Sequence, residues 1–192
     1  PYIDWTPFFS TWEIKGTYPL LLDDEKVGAA ARALFADASA LLDKLVAENW
    51  LTANAVVGFF PANAEGDDIA VFADEGRSAE RARLFTLRQQ MARSTDRRHH
   101  VALADFVAPR ETGLADYIGT FAVTTGIGED EAIRAHINPT DDYNRIIAKA
   151  LADRLAEAFA EALHAKVRRE LWGYAKDEAL SNDDLILEKY RG

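Results

Sequence analysis

An apolar stripe between residues 142 and 172 constrains the fold of this chain more than any other feature of its sequence. Every fourth residue of the stripe is apolar, which places these side chains on one face of a helix. Thr140 and Asp141 come just before it and can accept hydrogen bonds from the free amides of a helix start. The pattern predicts a long helix over 142–172 that can lie against a sheet. The members of the stripe are Ile147, Leu151, Leu155, Phe159, Leu163 and Val167.

The remaining apolar patterns predict a second long helix and a set of strands. Helical spacing runs from 24 to 48, and Pro61 with the turn-forming residues 63–67 separates two strand-like runs into a hairpin. The order helix, strands, helix favours an α+β domain with a mainly antiparallel sheet over alternating βαβ units. The predicted strands are 55–60, 69–72, 82–87, 101–107 and 117–125.

Charge and composition exclude several classes of function. The 192 residues include 22 Lys and Arg against 32 Asp and Glu, and a net charge of -10 repels the phosphate backbone of nucleic acids. No nucleic-acid partner is therefore expected. The chain has no cysteine, which is compatible with a reducing compartment such as the cytoplasm. It also lacks the apolar run of about 18–20 residues that a membrane span requires, so no membrane contact is expected.

Motifs for self-contained catalysis are not found in the sequence. The four histidines lack the spacing of a metal site, and no Gly-rich phosphate loop or Gly-x-Ser-x-Gly motif is present. We therefore predict no metal ligand and no catalytic residue in this chain.

Two groups of carboxylates remain as candidates for a binding site. Asp153, Glu157 and Glu161 are four residues apart, so they share one helix face, where they either are solvated with help from Arg154 or bind a cation. Asp4 lies within an aromatic segment, and a carboxylate there is costly to bury unpaired. Its partner is either a set of backbone amides or a ligand amine.

A series of sequence blocks is more specific than any single motif. It starts with Tyr2-Ile3-Asp4-Trp5-Thr6-Pro7-Phe8-Phe9 and extends in order over nearly all 192 residues. The series resembles the activation domain of cobalamin-dependent methionine synthases. The further blocks are 57–63, 66–69, 87–90, 103–109, 116–119, 141–144, 149–161, 172–174 and 180–182.

The resemblance implies a fold and a role. The fold is a C-shaped single α+β domain with a bent, mainly antiparallel sheet packed against long helices. The role is to bind S-adenosylmethionine as part of a methyltransferase and to support reductive methylation of inactive cob(II)alamin to methylcobalamin. A neighbouring domain of the same enzyme holds the cobalamin, zinc belongs to another domain, and flavodoxin or a flavoprotein reductase supplies the electron. The isolated chain is not expected to catalyse alone.

The resemblance also assigns roles to individual residues. Asp4 matches the carboxylate that holds the positively charged methionine portion of the ligand, and Glu157 and Glu188 match acidic positions near the same pocket. Asp153 matches a position at the interface with the cobalamin domain, where it could hydrogen-bond a histidine released from cobalt.

One departure from the family pattern leaves an alternative open. The Arg-x-x-x-Gly-Tyr segment that contacts the ligand in the family falls beyond Gly192, and about forty residues that usually precede Tyr2 are not in the sequence. We therefore expect residues 1–192 to be an activation domain truncated at both ends. The alternative is a divergent, non-enzymatic module that docks on a corrinoid protein without binding S-adenosylmethionine.

Overall fold

A computed structural model describes residues 1–91 and 99–191 of the chain. These residues form two compact units. The first unit contains Pro1–Ala55 and the chain from Ala122 onward, and the second contains Val56–Phe121. No helix within the described ranges is long and apolar enough to span a membrane.

The first unit is built around the long helix that the apolar stripe predicts. This helix, α4, covers Asp142–Lys166 and continues as a π-helical turn at Val167–Leu171. Its first turn is capped by Asp141, whose side chain accepts the Asn144 N–H at 3.0 Å. The other helices of the unit are α1 at Thr6–Thr11, α2 at Gly28–Ala47, α3 at Glu129–His136 and α5 at Asn182–Ile186.

The core of the first unit lies where α1, α2 and α4 meet. Phe8 and Phe9 of α1 are fully buried against Ile147 and Leu151 of the stripe, and these pack on α2 through Leu34. The aromatic segment at the N-terminus is therefore fixed by the best-packed part of the unit. Strand β4, Asp116–Ile127, also reaches α4, because the Thr125 hydroxyl donates to the Ala152 carbonyl at 3.0 Å.

The strands form one four-stranded sheet in the order β3-β2-β1-β4. Strand β1 is Thr52–Glu65, β2 is Asp68–Phe72 and β3 is Glu80–Phe85, with antiparallel pairing of β1 with β2 and of β2 with β3. The predicted hairpin is confirmed, but β1 does not stop at Pro61. Its register with β2 begins at Ala62, so Pro61, which has no N–H to donate, lies outside that ladder.

The predicted strand at 101–107 is wrong. Leu103–Phe106 is a 3₁₀ helix. The Asp105 carboxylate accepts the Ala102 N–H at 3.0 Å and is held in turn by Arg88 at 2.7 and 2.8 Å. This local hydrogen bonding turns the backbone away from the extended conformation that the apolar composition favours.

A buried asparagine joins the loops of the second unit. Asn63 on β1 is 2% exposed, and its amide nitrogen donates to the carbonyls of Ala108 and Leu114, both at 2.9 Å. Arg77 donates to the Asn63 amide oxygen at 2.9 Å and to the Asp116 carbonyl at 2.9 Å. The loops around 108–116 are therefore tied to the sheet by hydrogen bonds as well as by packing.

An anionic pocket as candidate functional site

The first unit contains a pocket whose polar lining is mostly acidic, which we call the anionic pocket. Its volume is about 250 Å³. Three parts of the chain build it: the N-terminal segment, the middle of α4, and α5 with Glu188 just beyond its end. The lining residues are Tyr2, Asp4, Glu157, Ala160, Glu161, Asn182, Leu185, Ile186 and Glu188.

Asp4 is half-buried at the wall of the pocket and is held by the backbone. Its Oδ1 accepts the Thr6 N–H at 2.9 Å, and the Thr6 hydroxyl accepts the Tyr18 N–H at 3.1 Å. Trp5 next to it packs edge-on against Phe8, with ring centroids 5.4 Å apart. Asp4 therefore binds a backbone amide and also lines the pocket, so the two partners considered from sequence do not exclude each other.

Glu157 enters the pocket from α4 and is paired on the helix itself. Arg154 donates to its two oxygens at 2.7 and 2.8 Å, and also to Asp153 at 2.6 Å. The Arg154 side chain is 9% exposed, whereas those of Asp153 and Glu157 are 69% and 63% exposed. Arg154 therefore pairs with Asp153 and Glu157, as the solvated interpretation of the stripe expects, but not with Glu161. Asp153 does not line the pocket and lies on the open side of α4.

Glu188 reaches the pocket from the residue pair that follows α5. Its backbone has a φ of 52°, in the left-handed region that non-glycine residues rarely adopt. Ser181 caps α5, and Asn182 at its start donates to the Ile3 carbonyl at 3.3 Å. This hydrogen bond joins the two ends of the described chain at the pocket.

Glu161 is a fourth acidic residue of the pocket, one that the family resemblance does not assign. It follows Glu157 by one helical turn, and its Oε2 is buried without a hydrogen-bond partner among the described residues. Burial raises the pKa of Glu161, Arg168 opposes the rise, and Glu188 adds to it. The four-residue spacing was the available signal, but spacing alone does not distinguish a buried carboxylate from a solvated one.

A buried ion pair lies behind Glu161. Arg168, in the π-helical turn, has no exposed surface and donates to both oxygens of Glu178 at 2.8 and 2.7 Å. Its guanidinium also lies 4.3 Å from the centre of the Tyr190 ring. These hydrogen bonds from Arg168 lower the pKa of Glu178. Because Glu178 neutralises Arg168, the pocket retains its acidic character.

An apolar cavity of about 380 Å³ shares Tyr2 with the anionic pocket. Leu155, Ala158 and Phe159 line it from α4, and Leu45 lines it from α2. The same stretch of α4 therefore contributes carboxylates to one pocket and apolar side chains to the other.

The four carboxylates of the anionic pocket are not arranged as a metal site. Within residues 1–91 and 99–191, no three His, Cys, Asp or Glu side chains are grouped so that they could hold a metal ion. What the pocket offers is dispersed negative charge in a partly buried setting, where attraction to an organic cation is stronger than in bulk water.

Comparison with known proteins assigns the chain to a family. The family model described as "Vitamin B12 dependent methionine synthase, activation domain" matches residues 1–192. The chain belongs to this family. The resemblance recognised from the sequence blocks is thereby confirmed.

A solved structure supports the same assignment. The crystal structure of the MetH reactivation domain bound to AdoHcy is 54% identical to this chain and superposes with a TM-score of 0.91. The match covers 100% of this chain and 58% of the other, so this chain spans little more than half of that relative's length. The predicted α+β fold is confirmed as that of the activation-domain family.

Proposed function

We propose that the anionic pocket binds S-adenosylmethionine. One observation carries the proposal: Asp4, Glu157 and Glu188, which the family resemblance assigns to the ligand site, line the same pocket. They come from opposite ends of the chain and from the middle of α4. Such convergence of carboxylates suits a ligand that carries positive charge.

The chemistry of the ligand fits these residues. S-adenosylmethionine has a sulfonium and an ammonium group, and carboxylates are their natural counterions in a partly buried site. The related structure contains AdoHcy, the molecule that remains when S-adenosylmethionine has given up its methyl group. A pocket with this lining can bind the amino-acid end of either molecule.

We place this binding in the repair of a corrinoid enzyme. S-adenosylmethionine supplies the methyl group that converts inactive cob(II)alamin, after one-electron reduction, to methylcobalamin. The residues of this chain bind and orient the donor, while a neighbouring domain of the same methyltransferase holds the cobalamin. Flavodoxin or a flavoprotein reductase supplies the electron, and zinc belongs to another domain. The chain does not catalyse alone.

Asp153 is proposed to lie at the interface with the cobalamin domain. Its side chain is 69% exposed, stands outside the pocket and is oriented by a 2.6 Å bond from the buried Arg154. An exposed carboxylate held in one position by a buried arginine is well suited to accept a hydrogen bond from a partner's histidine.

The proposal is tested by Asp4→Asn in the full-length protein with calorimetry of S-adenosylmethionine binding. The asparagine oxygen can still accept the Thr6 N–H, so the variant removes charge and keeps the local structure. Loss of one charge-assisted contact of about 1.5–3 kcal/mol weakens binding by roughly 10- to 100-fold. Asp43→Asn, an exposed carboxylate on α2, is the matched control and binds as the wild type does.

Two results would contradict the proposal. If the wild-type protein binds no S-adenosylmethionine, the docking module without ligand becomes the better hypothesis. If binding is intact in Asp4→Asn, the ligand lies outside the anionic pocket.

A further inference from the structure

We infer that Glu161 is a further ligand-binding residue of the anionic pocket and that its buried oxygen accepts a hydrogen bond from the α-ammonium group of the ligand. The inference rests on the proposed function and adds a contact that neither the sequence blocks nor the resemblance assigned. It names the part of the ligand that Glu161 recognises.

The Glu161 carboxylate has a buried oxygen whose hydrogen-bonding capacity is unused. Its Oε2 is buried and has no hydrogen-bond partner within the described part of the chain, although the residue lines the pocket. Buried polar atoms in folded proteins almost always have a partner, because the loss of water must be compensated. A donor supplied by the ligand satisfies this oxygen once the Glu161 side chain turns toward the pocket that it lines.

The other carboxylates of the pocket differ from Glu161 in their hydrogen bonds. Asp4 already accepts a backbone N–H, and Glu157 is bound on both oxygens by Arg154. These two groups can attract a cation through space, but part of their hydrogen-bonding capacity is used. Among the described residues that line the pocket, Glu161 alone has a buried side-chain oxygen without a hydrogen-bond partner.

The ligand group that can donate to this oxygen is the ammonium group. A sulfonium has no N–H or O–H and cannot satisfy an acceptor, whereas an ammonium group presents three donors together with a full positive charge. The unpartnered oxygen therefore selects the ammonium end of an amino-acid ligand. This end is common to S-adenosylmethionine and S-adenosylhomocysteine.

The charges around Glu161 indicate how ligand binding affects it. Arg168 faces it from the π-helical turn and Glu188 from the end of α5, while Asp4 and Glu157 line the same pocket. Burial, the largest effect, raises the pKa of Glu161, and Glu188 adds to the rise against the opposing Arg168. Burial therefore makes the ionised form of Glu161 less favourable than usual in the empty pocket, and an arriving ammonium group favours that ionised form.

The experiment uses the full-length protein with three probes: S-adenosylmethionine, S-adenosylhomocysteine and 5′-methylthioadenosine. Glu161→Gln weakens both amino-acid probes by the same factor, about tenfold or more. It leaves 5′-methylthioadenosine binding unchanged, because that molecule has no ammonium group. Glu170→Gln, an exposed glutamate of the π-helical turn, is the matched control and changes none of the three.

A second readout separates a ligand contact from a structural role. An acid whose pKa is raised by folding stabilises the fold when protonated, and this contribution is lost as pH rises through the raised pKa. At neutral pH, Glu161→Gln therefore melts at the same or a higher temperature than wild type, while its affinity falls. Glu161→Asp, which withdraws the carboxylate by one methylene, also folds and binds more weakly.

Each contrary result is distinct. Unchanged S-adenosylmethionine affinity in Glu161→Gln overturns the inference, as does a loss confined to S-adenosylmethionine, which would indicate the sulfonium. An equal loss for 5′-methylthioadenosine, or failure of both variants to fold, assigns Glu161 to the structure and also overturns it. Failure of the wild type and Glu170→Gln to bind S-adenosylmethionine refutes the proposed function itself.

Discussion

Removal of Glu178 should destabilise the first unit strongly, because it leaves a buried guanidinium without its counterion. Arg168 has no exposed surface, and Glu178 accepts both of its short hydrogen bonds, at 2.8 and 2.7 Å. Each hydrogen bond to a charged group contributes about 1.5–3 kcal/mol, and loss of one partner of a buried pair costs about 3–5 kcal/mol. We expect Glu178→Ala to lower the free energy of unfolding by an amount in this range.

Urea unfolding followed by circular dichroism at 222 nm measures this effect, since the α-helices α1 to α5 lie in the first unit. Glu170→Ala is the matched control, because Glu170 is exposed and its loss is expected to change stability by less than about 0.5 kcal/mol. The double variant Arg168→Met with Glu178→Leu recovers much of the loss, as no unpaired charge is left. A cost below about 1 kcal/mol for Glu178→Ala would refute the reasoning.

The same pair has a defined pH dependence. The hydrogen bonds that Arg168 donates lower the pKa of Glu178 below the ordinary value of 4.5. A carboxyl group whose pKa is lowered by folding stabilises the fold at pH values above its pKa in the unfolded chain. This contribution disappears as the pH falls through its pKa in the folded protein. The difference in stability between the wild type and Glu178→Ala should therefore be constant above about pH 5 and shrink in more acidic solution.

Two further predictions concern the scaffold. Asp141→Ala removes the side-chain cap at the start of α4 and should lower the free energy of unfolding in urea by about 1 kcal/mol. Asp141→Asn also caps well and should cost much less. An equal cost for the two variants would assign Asp141 another role. Asn63→Ala leaves the carbonyls of Ala108 and Leu114 without their donor and should cost about 2–4 kcal/mol. Hydrogen exchange at β1 measures this loss, and unchanged protection would contradict the account.

The sequence predicted those elements of the fold whose apolar residues repeat at a regular spacing. The fourfold spacing through Ile147 and Leu151 predicted α4, and both residues are fully buried. The strand predicted at 101–107 is wrong because apolar composition alone does not reveal that Asp105 accepts the Ala102 N–H. That outcome depends on Arg88, which comes from another part of the chain to hold the carboxylate.

The candidate site divides in the same way. Asp4, Glu157 and Glu188 were found because their sequence context matched a family pattern, and the structure brings them together. Glu161 was not found, since its burial and its electrostatic neighbours Arg168 and Glu188 are set by the folded chain. A helical repeat shows which carboxylates share a face, but only the folded chain shows which of them has lost water.

The contact between Asn182 and Ile3 has a consequence for biosynthesis. The two residues are 179 positions apart, yet their hydrogen bond lies at the wall of the anionic pocket. During translation this hydrogen bond cannot form until Asn182 has left the ribosome, long after the N-terminal segment has emerged. Nascent chains cut short before α5 should therefore carry most of the helical core of the first unit but lack Asn182 and Glu188, and with them one wall of the anionic pocket.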